Sequence, residues 1–211
     1  MKRHIIIVIS LCLLSCQSAY YAAWEKVGVE KRDLFLDRVE DTQDSQQDAQ
    51  QQFSSALEQL TALINFDGGE LQDKYEALKS EFEASEKAAE NVSTSINKVE
   101  SVATALFEEW QDELKQYSSE TLRRDSQQRL TTTQQRYKTL LASMRKAEAK
   151  MPPVLAALRD NVLYLKHNLN ANVVASLQGE FSNIKNDINQ LIKEMNTAIK
   201  ASNQFIESMK H

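Results

Sequence analysis

The chain has 211 residues, a formal net charge of −5, and only four glycines, two prolines and two cysteines. This acidic balance argues against a nucleic-acid interface and against a broad face for anionic lipids. Scarce glycine and proline favour long helices over a sheet. Three histidines and two cysteines, outside any ligand-spaced motif, predict that the chain uses no metal and no cofactor.

The N-terminal segment has the pattern of a secretory signal. A short basic start precedes a mostly apolar run that is too short to span a bilayer. The run ends in Leu13-Leu14-Ser15-Cys16, which resembles a bacterial lipobox. The resemblance implies that residues 1–15 are removed as a lipoprotein signal peptide and that Cys16 is lipidated. A plain signal peptide or a buried N-terminal helix is the alternative.

A lipidated Cys16 would make the mature chain, residues 16–211, a membrane-anchored protein. Stable anchoring needs about two acyl chains, and a lipoprotein carries more than that. Gln17 after the cysteine favours the periplasmic face of the outer membrane over the inner membrane. Tyr20, Tyr21 and Trp24 could then form an aromatic belt at the lipid interface. For Trp24 the alternative is packing against Trp110 at the base of the fold.

The rest of the chain reads as four helical arms in a single domain. Apolar or small residues recur in alternating steps of four and three from Leu71, from Thr133 and from Val174, as coiled-coil seams do. Turn and capping residues separate arms of about 20–66, 70–117, 120–168 and 172–209; these are Asp67-Gly68-Gly69, Ser118-Ser119 and the Asn-rich stretch 168–172.

Short connections between arms of similar length predict antiparallel neighbours. The predicted fold is therefore all-α, an elongated antiparallel coiled coil or four-helix up-down bundle. Two long hairpins that close only by forming a homo-oligomer are the alternative. Within the third arm, Met151-Pro152-Pro153 should kink or restart the helix, and the unbroken apolar phase favours a kink in one long arm.

The first arm contains a Gln-rich stretch, residues 40–52, without large apolar side chains. Folding the first two arms about Gly68 places Gln46 to Ala49 opposite residues 87–90 and Phe53 opposite Phe82. We interpret the stretch as a solvated helix over a thin core. A loose layer that permits bending or admits a partner is the alternative.

No enzyme signature is present. The chain lacks the phosphate-binding loop, the nucleophile elbow and the zinc-protease motif. Glu108 and Glu109 are adjacent, and neighbouring helical side chains diverge by about 100°, so they cannot act as one carboxylate pair. We therefore expect a non-enzymatic protein.

The end of the third arm is the most unusual polar stretch, and it shares one end of the predicted bundle with the turn at 67–69. If Cys16 holds the first arm at a membrane, this end projects about 70 Å away. We expect it to form a distal contact surface, with His167 making binding depend on pH. Its residues are Asp67, His167, Asn168, Asn170 and Asn172. Capping of the helix end by the same residues is the alternative.

Several strings together resemble DUF2959, an uncharacterised family of proteobacterial lipoproteins. The resemblance covers essentially the whole mature chain. It implies no activity and no active-site residues, because none is established for the family. The strings are YYAAWEKVGVEKRDLFLDRVED, FDGGEL, ALFEEWQDEL, PVLAALRDNVLYLKHNLNA and SLQGEF.

These observations predict a periplasmic lipoprotein that acts as a helical scaffold or spacer and presents its distal tip to an unidentified envelope protein. The alternative is a periplasmic binding module, or a chaperone or adaptor, that holds an apolar ligand or peptide in the Gln-rich layer.

Overall fold

The structure, a computed structural model, describes residues 30–66, 68, 70–169 and 171–210, without the side chains of 171–173 and 175. The lipobox with Cys16, the aromatic residues 20–24, Asp67 and Asn170 lie outside the described residues, and so does the Asn172 side chain.

Among the described residues, five helices build four arms. They are α1 (Lys31–Ile64), α2 (Leu71–Leu114), α3 (Glu120–Glu148), α4 (Met151–His167) and α5 (Ala171–Lys210). Helices α3 and α4 follow one another along the third arm. Helix α1 packs on α2 and α5, and the third arm packs on the same two helices from the other side. Each arm thus has two neighbours and the bundle closes within one chain, which confirms the predicted all-α four-helix bundle.

The bundle is elongated and has two distinct ends. The longest helix, α2, has 44 residues and is about 66 Å long. We call the end with the start of α1, the α2–α3 turn and the C-terminus of α5 the proximal end. The distal end holds the α1–α2 turn and the α4–α5 connection. Gly68 in the α1–α2 turn has φ +143°, a backbone conformation that favours glycine.

The predicted seams form the core. The α2 seam is buried from Leu78 to Leu106, and the α5 seam is buried from Ile184 to Met209. The third-arm seam is buried through Leu165 but ends there. Leu169, predicted to continue it, is 40% exposed because the helix has already ended at His167.

Helix α1 has a seam of the same kind, which runs through the Gln-rich stretch. Thr42, Gln46 and Ala49 take three consecutive core positions between Val39 and Phe53. Their small or polar side chains make this part of the core thin, while the outward-facing residues of the stretch are exposed: Glu40, Asp41, Asp44, Gln47, Asp48 and Gln51. The stretch is therefore a solvated helix over a thin core, as predicted.

Side-chain contacts between α1 and α2 show an antiparallel register. Lys31 Nζ lies 2.8 Å from Glu109 Oε1, and Gln52 Nε2 donates to Glu81 Oε2 over 2.6 Å. The hydroxyls of Ser45 and Ser95 lie 3.0 Å apart between these two contacts. This register agrees with the predicted pairing about Gly68 to within about one helical turn.

The third arm is divided rather than only kinked. Helix α3 ends at Glu148 and α4 begins at Met151, and the intervening Ala149 and Lys150 retain right-handed helical dihedrals. Pro152 and Pro153 occupy the first turn of α4, where a missing N–H breaks no helical hydrogen bond. The expectation of one kinked helix is therefore corrected to a helix restart, although the buried seam keeps its phase across the break.

Three buried hydroxyl groups in the core form hydrogen bonds within their own helices. The hydroxyls of Thr42, Ser85 and Ser202 each donate to the carbonyl four residues earlier, over 2.8, 2.7 and 3.1 Å. Gln46 differs, because its side chain is 0% exposed and neither amide atom has a hydrogen-bond partner among the described residues. The register places this orphaned amide opposite the small apolar residues Ala89 and Val92.

An aromatic cluster closes the core towards the proximal end, with one ring from each arm. Phe35 makes edge-to-face contacts with Phe107, Tyr137 and Phe205 at centroid distances of 6.1, 5.7 and 5.4 Å. Phe107 and Tyr137 also meet at 5.5 Å. Burial of the phenol, reinforced by the nearby Glu100 carboxylate, raises the pKa of Tyr137 to about 12.

Candidate functional site

The distal end contains the predicted contact residues that the structure describes. His167 is the last residue of α4 and is exposed. Asn168 is half-buried and caps α4, since its backbone N–H donates to Leu165 O over 3.0 Å and its Nδ2 donates to Tyr164 O over 2.9 Å. This geometry supports the capping role for Asn168, and it leaves His167 as the predicted tip residue that the structure places on the surface.

Apolar side chains are exposed close to His167 in the sequence, at the distal end of the third arm. Five large apolar side chains are exposed among the described residues, and three of them lie here: Leu163 (50%), Tyr164 (43%) and Leu169 (40%). We call these three residues the distal patch. Lys166 and His167 add basic groups beside it.

The distal patch was not predicted from the sequence. Leu163 and Tyr164 fall between the buried seam residues Val162 and Leu165, so a heptad search treats them as incidental. A sequence signal for Leu163 and Tyr164 does exist. Residues 162–165 form an unbroken run of large apolar residues, which is longer than the buried face of one helix requires. Single exposed apolar residues are ordinary, whereas a cluster at the end of a rigid support is typical of interaction sites.

The proximal end contains a cavity of about 1220 Å³. The start of α1, the end of α2, the first half of α3 and the C-terminus of α5 surround it. Leu106, Trp110 and Met209 contribute apolar surface, and charged groups from all four helices line the remainder. We call this space the proximal cavity.

Polar contacts brace the walls of the proximal cavity. Trp110 Nε1 donates to Ser126 Oγ over 2.8 Å, which joins α2 to α3. Arg32 donates to the carbonyl of Met209, and Arg136 donates to the carbonyl of Ser208 over 3.3 Å. The last carbonyls of a helix have no partner within the helix, so these two arginines satisfy the C-terminus of α5 and complement its dipole.

At the proximal end the described parts of the four arms reach different levels. Arg136 contacts Ser208 near the end of α5, so residues 120–131 of α3 extend beyond α5. Likewise, Lys31 pairs with Glu109, so α2 continues to Leu114 beyond the first turn of α1. The end of α2 and the start of α3 therefore form a hairpin that extends beyond the described parts of α1 and α5, and Ser126 and Leu130 are buried within it.

A polar network joins α2 to α3 near the middle of the bundle. The guanidinium of Arg145 contacts Glu100, donates to Asn97 Oδ1 over 2.7 Å and donates to Glu148 Oε2 over 2.7 Å. Ser93 Oγ donates to Glu148 Oε1 over 2.6 Å. Side chains of both helices thus share one set of hydrogen bonds, which fixes the position of α3 along α2.

His, Cys, Asp and Glu side chains are dispersed over the part of the chain that the structure describes. No cluster of three or more His, Cys, Asp or Glu side chains that could hold a metal ion occurs in this part of the chain. Glu109 pairs with Lys31, while the adjacent Glu108 is exposed on a different side of α2. None of the described helices is both long and apolar enough to cross a membrane.

Comparison with known protein families gives one finding. The model of the family described as "Protein of unknown function (DUF2959)" matches residues 20–209. Comparison with the curated proteins gives no match.

Proposed function

Since this chain belongs to DUF2959, a family of unknown function, we propose its role from geometry: a non-enzymatic lipoprotein scaffold or spacer on the periplasmic face of the outer membrane. Lipid on Cys16 anchors it there. The bundle holds its distal end away from the membrane and presents it to a protein of the cell envelope.

The observation that carries this proposal is the position of the distal patch. The patch lies at the end of the bundle opposite the start of α1, and therefore opposite the side on which the N-terminal segment enters. Most other exposed side chains along the described bundle are polar or charged, whereas Leu163, Tyr164 and Leu169 expose apolar surface beside Lys166 and His167. Apolar anchors with a basic rim suit a protein surface that is itself apolar with acidic groups.

The length of the bundle supports a spacer role. Helix α2 alone, with 44 residues, separates the two ends by about 66 Å. The closed four-arm arrangement makes this separation stiff, because each arm is held by two neighbours. A site at the end of such a support reaches a partner at a set distance from the anchor.

The contact is tested by photo-cross-linking in intact cells. A photoreactive residue replaces Leu169, and we expect a discrete protein adduct that weakens several-fold when Leu163→Gln and Tyr164→Gln are added. The matched control is Leu122→Gln, which changes an exposed leucine (58%) at the proximal end. An adduct unaffected by the patch variant, or no adduct at all, would count against the scaffold role.

The anchor is tested separately. Cys16→Ala should abolish lipidation and release the protein from the membrane fraction, and globomycin should cause the unprocessed precursor to accumulate. Unchanged processing and membrane association in the Cys16→Ala variant would refute the lipoprotein assignment without bearing on the distal patch.

The binding-module alternative has no comparable support. It placed an apolar ligand in the Gln-rich layer, but Thr42, Gln46 and Ala49 are buried in the closed core. Two surface cavities formed by described residues, the proximal cavity and a smaller one between α1 and α5, include no residue from 40–52.

A further inference from the structure

We propose that a second copy of this chain docks against the outer face of α4, and that the two copies lie parallel to each other about a two-fold axis. The outer face is the side of α4 that points away from the core. This inference rests on the proposed scaffold role, because anchors in one membrane give both copies the same orientation.

The first argument is the composition of α4. Its inward side supplies Leu158, Val162 and Leu165 to the core. A surface helix with one buried face is normally polar on the opposite side. Leu163 and Tyr164 are instead 50% and 43% exposed. Large apolar residues outside the buried face of a helix indicate a further contact.

The second argument is charge. The chain has a formal net charge of −5, and like charge opposes contact between two copies over most of the surface. Helix α4 differs, because it contains one carboxylate, Asp160, and two cationic side chains, Arg159 and Lys166. Repulsion between copies is therefore reduced along the helix that also exposes apolar side chains.

The third argument is the division of side chains between the two edges of the outer face. Successive residues of a helix diverge by about 100°. Measured from the buried residues of α4, Arg159 and Leu163 lie towards one edge. Asp160 and Tyr164 lie towards the other edge. The side chains of Arg159 and Asp160 are 57% and 74% exposed, and Nε and Oδ1 are 4.0 Å apart. Both groups can therefore bind a closer partner.

A parallel two-fold pair brings unlike edges together. In a two-fold contact, residue i of one copy meets residue j of the other, and the reverse contact also forms. Arg159 then faces the partner's Asp160, and one turn later Leu163 faces the partner's Tyr164. An antiparallel two-fold pair would bring identical edges together and would form no such ion pair. Charge complementarity therefore selects the parallel arrangement, which copies anchored in one membrane can adopt.

The size of the contact determines where pairing occurs. Helix α4 has 17 residues and is about 25 Å long. Two helices of this length bury less surface than a stable interface, which needs about 1,000 Å². The copies should therefore pair weakly in free solution. They should pair well when anchors hold them on one membrane, because their effective concentration there is high.

Disulfide trapping in the membrane fraction of cells that make the full chain tests the arrangement. Ala156→Cys and His167→Cys are separate single variants on the middle line of the outer face, where a parallel pair brings each residue close to its own copy. We expect mild oxidation to give a covalent dimer of the chain in both. The control, Glu58→Cys, is exposed on α1, across the bundle from α4, and should stay monomeric. It retains Cys16, so a dimer through that residue would appear in the control as well. No dimer in either variant, as an antiparallel pair predicts, or equal dimer in the control would overturn the proposal.

Charge reversal tests the ion pair. Arg159→Asp or Asp160→Arg, each added to Ala156→Cys, places like charges opposite one another, so the dimer fraction should fall several-fold. The two reversals together exchange the charges and should restore the dimer to within about twofold of the original. A combined variant as weak as either single reversal would overturn the proposed pairing.

The photo-cross-link at position 169 separates this inference from the scaffold role. An adduct that contains two copies of the chain supports pairing through α4. An adduct that contains only a different envelope protein, together with no disulfide dimer, would overturn the pairing and leave the scaffold role intact. A disulfide dimer without any adduct at position 169 would support the pairing and count against the distal contact of the scaffold.

Discussion

Replacing Gln46 with leucine should make the protein more stable. Gln46 is completely buried, and both atoms of its amide lack a hydrogen-bond partner among the described residues. In the unfolded chain the same amide is hydrated, so folding removes those hydrogen bonds and returns none. Leucine has a similar size and carries no polar atoms, and it fits the heptad position between Thr42 and Ala49.

The magnitude follows from the cost of burying an unpaired amide. Mutational data place that cost at about 1–3 kcal/mol. We therefore expect Gln46→Leu to raise the free energy of unfolding by about 2 kcal/mol. For a chain of this length, about 2 kcal/mol corresponds to a rise in Tm of about 4–8 °C.

Thermal and urea unfolding followed by circular dichroism at the helical minimum measures this difference. Size-exclusion chromatography at the same concentration confirms that both proteins have the same oligomeric state, since a polar residue in a seam can specify that state. The matched control is Gln47→Leu, the same change at the adjacent exposed position, which should alter stability by at most about 0.5 kcal/mol. A Gln46→Leu protein that melts at or below the wild-type temperature would refute the reasoning, because the amide would then have to contribute a favourable interaction.

Three further predictions concern the turn, the polar network and the aromatic cluster. Gly68→Ala should destabilise the bundle by about 1–3 kcal/mol through backbone strain alone, since nothing lies within 4 Å of the added Cβ. Gly179→Ala, inside α5, should instead stabilise it by about 1 kcal/mol. Urea unfolding should therefore show changes of opposite sign in the free energy of unfolding, and changes of the same sign would contradict the strain argument. Arg145→Met should lower the free energy of unfolding by about 1 kcal/mol, whereas Arg129→Met, which breaks an exposed ion pair, should lower it by less than about 0.5 kcal/mol. Added salt should reduce the difference between the two variants in unfolding experiments. Equal effects of the two substitutions would count against the α2–α3 network. Because the pKa of Tyr137 is raised to about 12, the stability that its neutral phenol contributes is complete below pH 10 and is lost as the pH rises towards about 12. Over this range the free energy of unfolding of the wild type should fall by about 1–2 kcal/mol more than that of Tyr137→Phe, after allowance for solvent screening. Parallel pH profiles of the two proteins would exclude the phenol as the cause of the alkaline loss of stability.

The main features of the fold follow from patterns that are local in sequence. The seams of α2 and α5 repeat often enough to identify the buried face, and Gly68 and Ser119 are at the positions where a turn and a helix cap were expected. Because arms of similar length joined by short turns have few ways to pack, the antiparallel arrangement followed from these elements.

Other features depend on neighbours that a sequence pattern does not reveal. Gln46 is buried because the residues on either side of it in the seam hold that face of α1 against α2, and its own polarity does not change this. Leu163 and Tyr164 are exposed because Val162 and Leu165 already occupy the core positions. The proximal cavity is lined by residues of four helices, α1, α2, α3 and α5, and no single helix reveals that arrangement.

Helices α1 and α5 are direct neighbours although they lie far apart in the sequence. Arg32 in the first turn of α1 holds the carbonyl of Met209, 177 positions later. Since synthesis proceeds from the N-terminus, α1 to α4 emerge while the groove that α5 will occupy is still open. Their apolar seams remain accessible until nearly the whole chain is available, and a product that stops before α5 keeps them so permanently. During synthesis, the exposed seams of the first three arms can therefore aggregate until α5 is complete. Truncated copies that lack α5 should be degraded by proteases faster than the full chain.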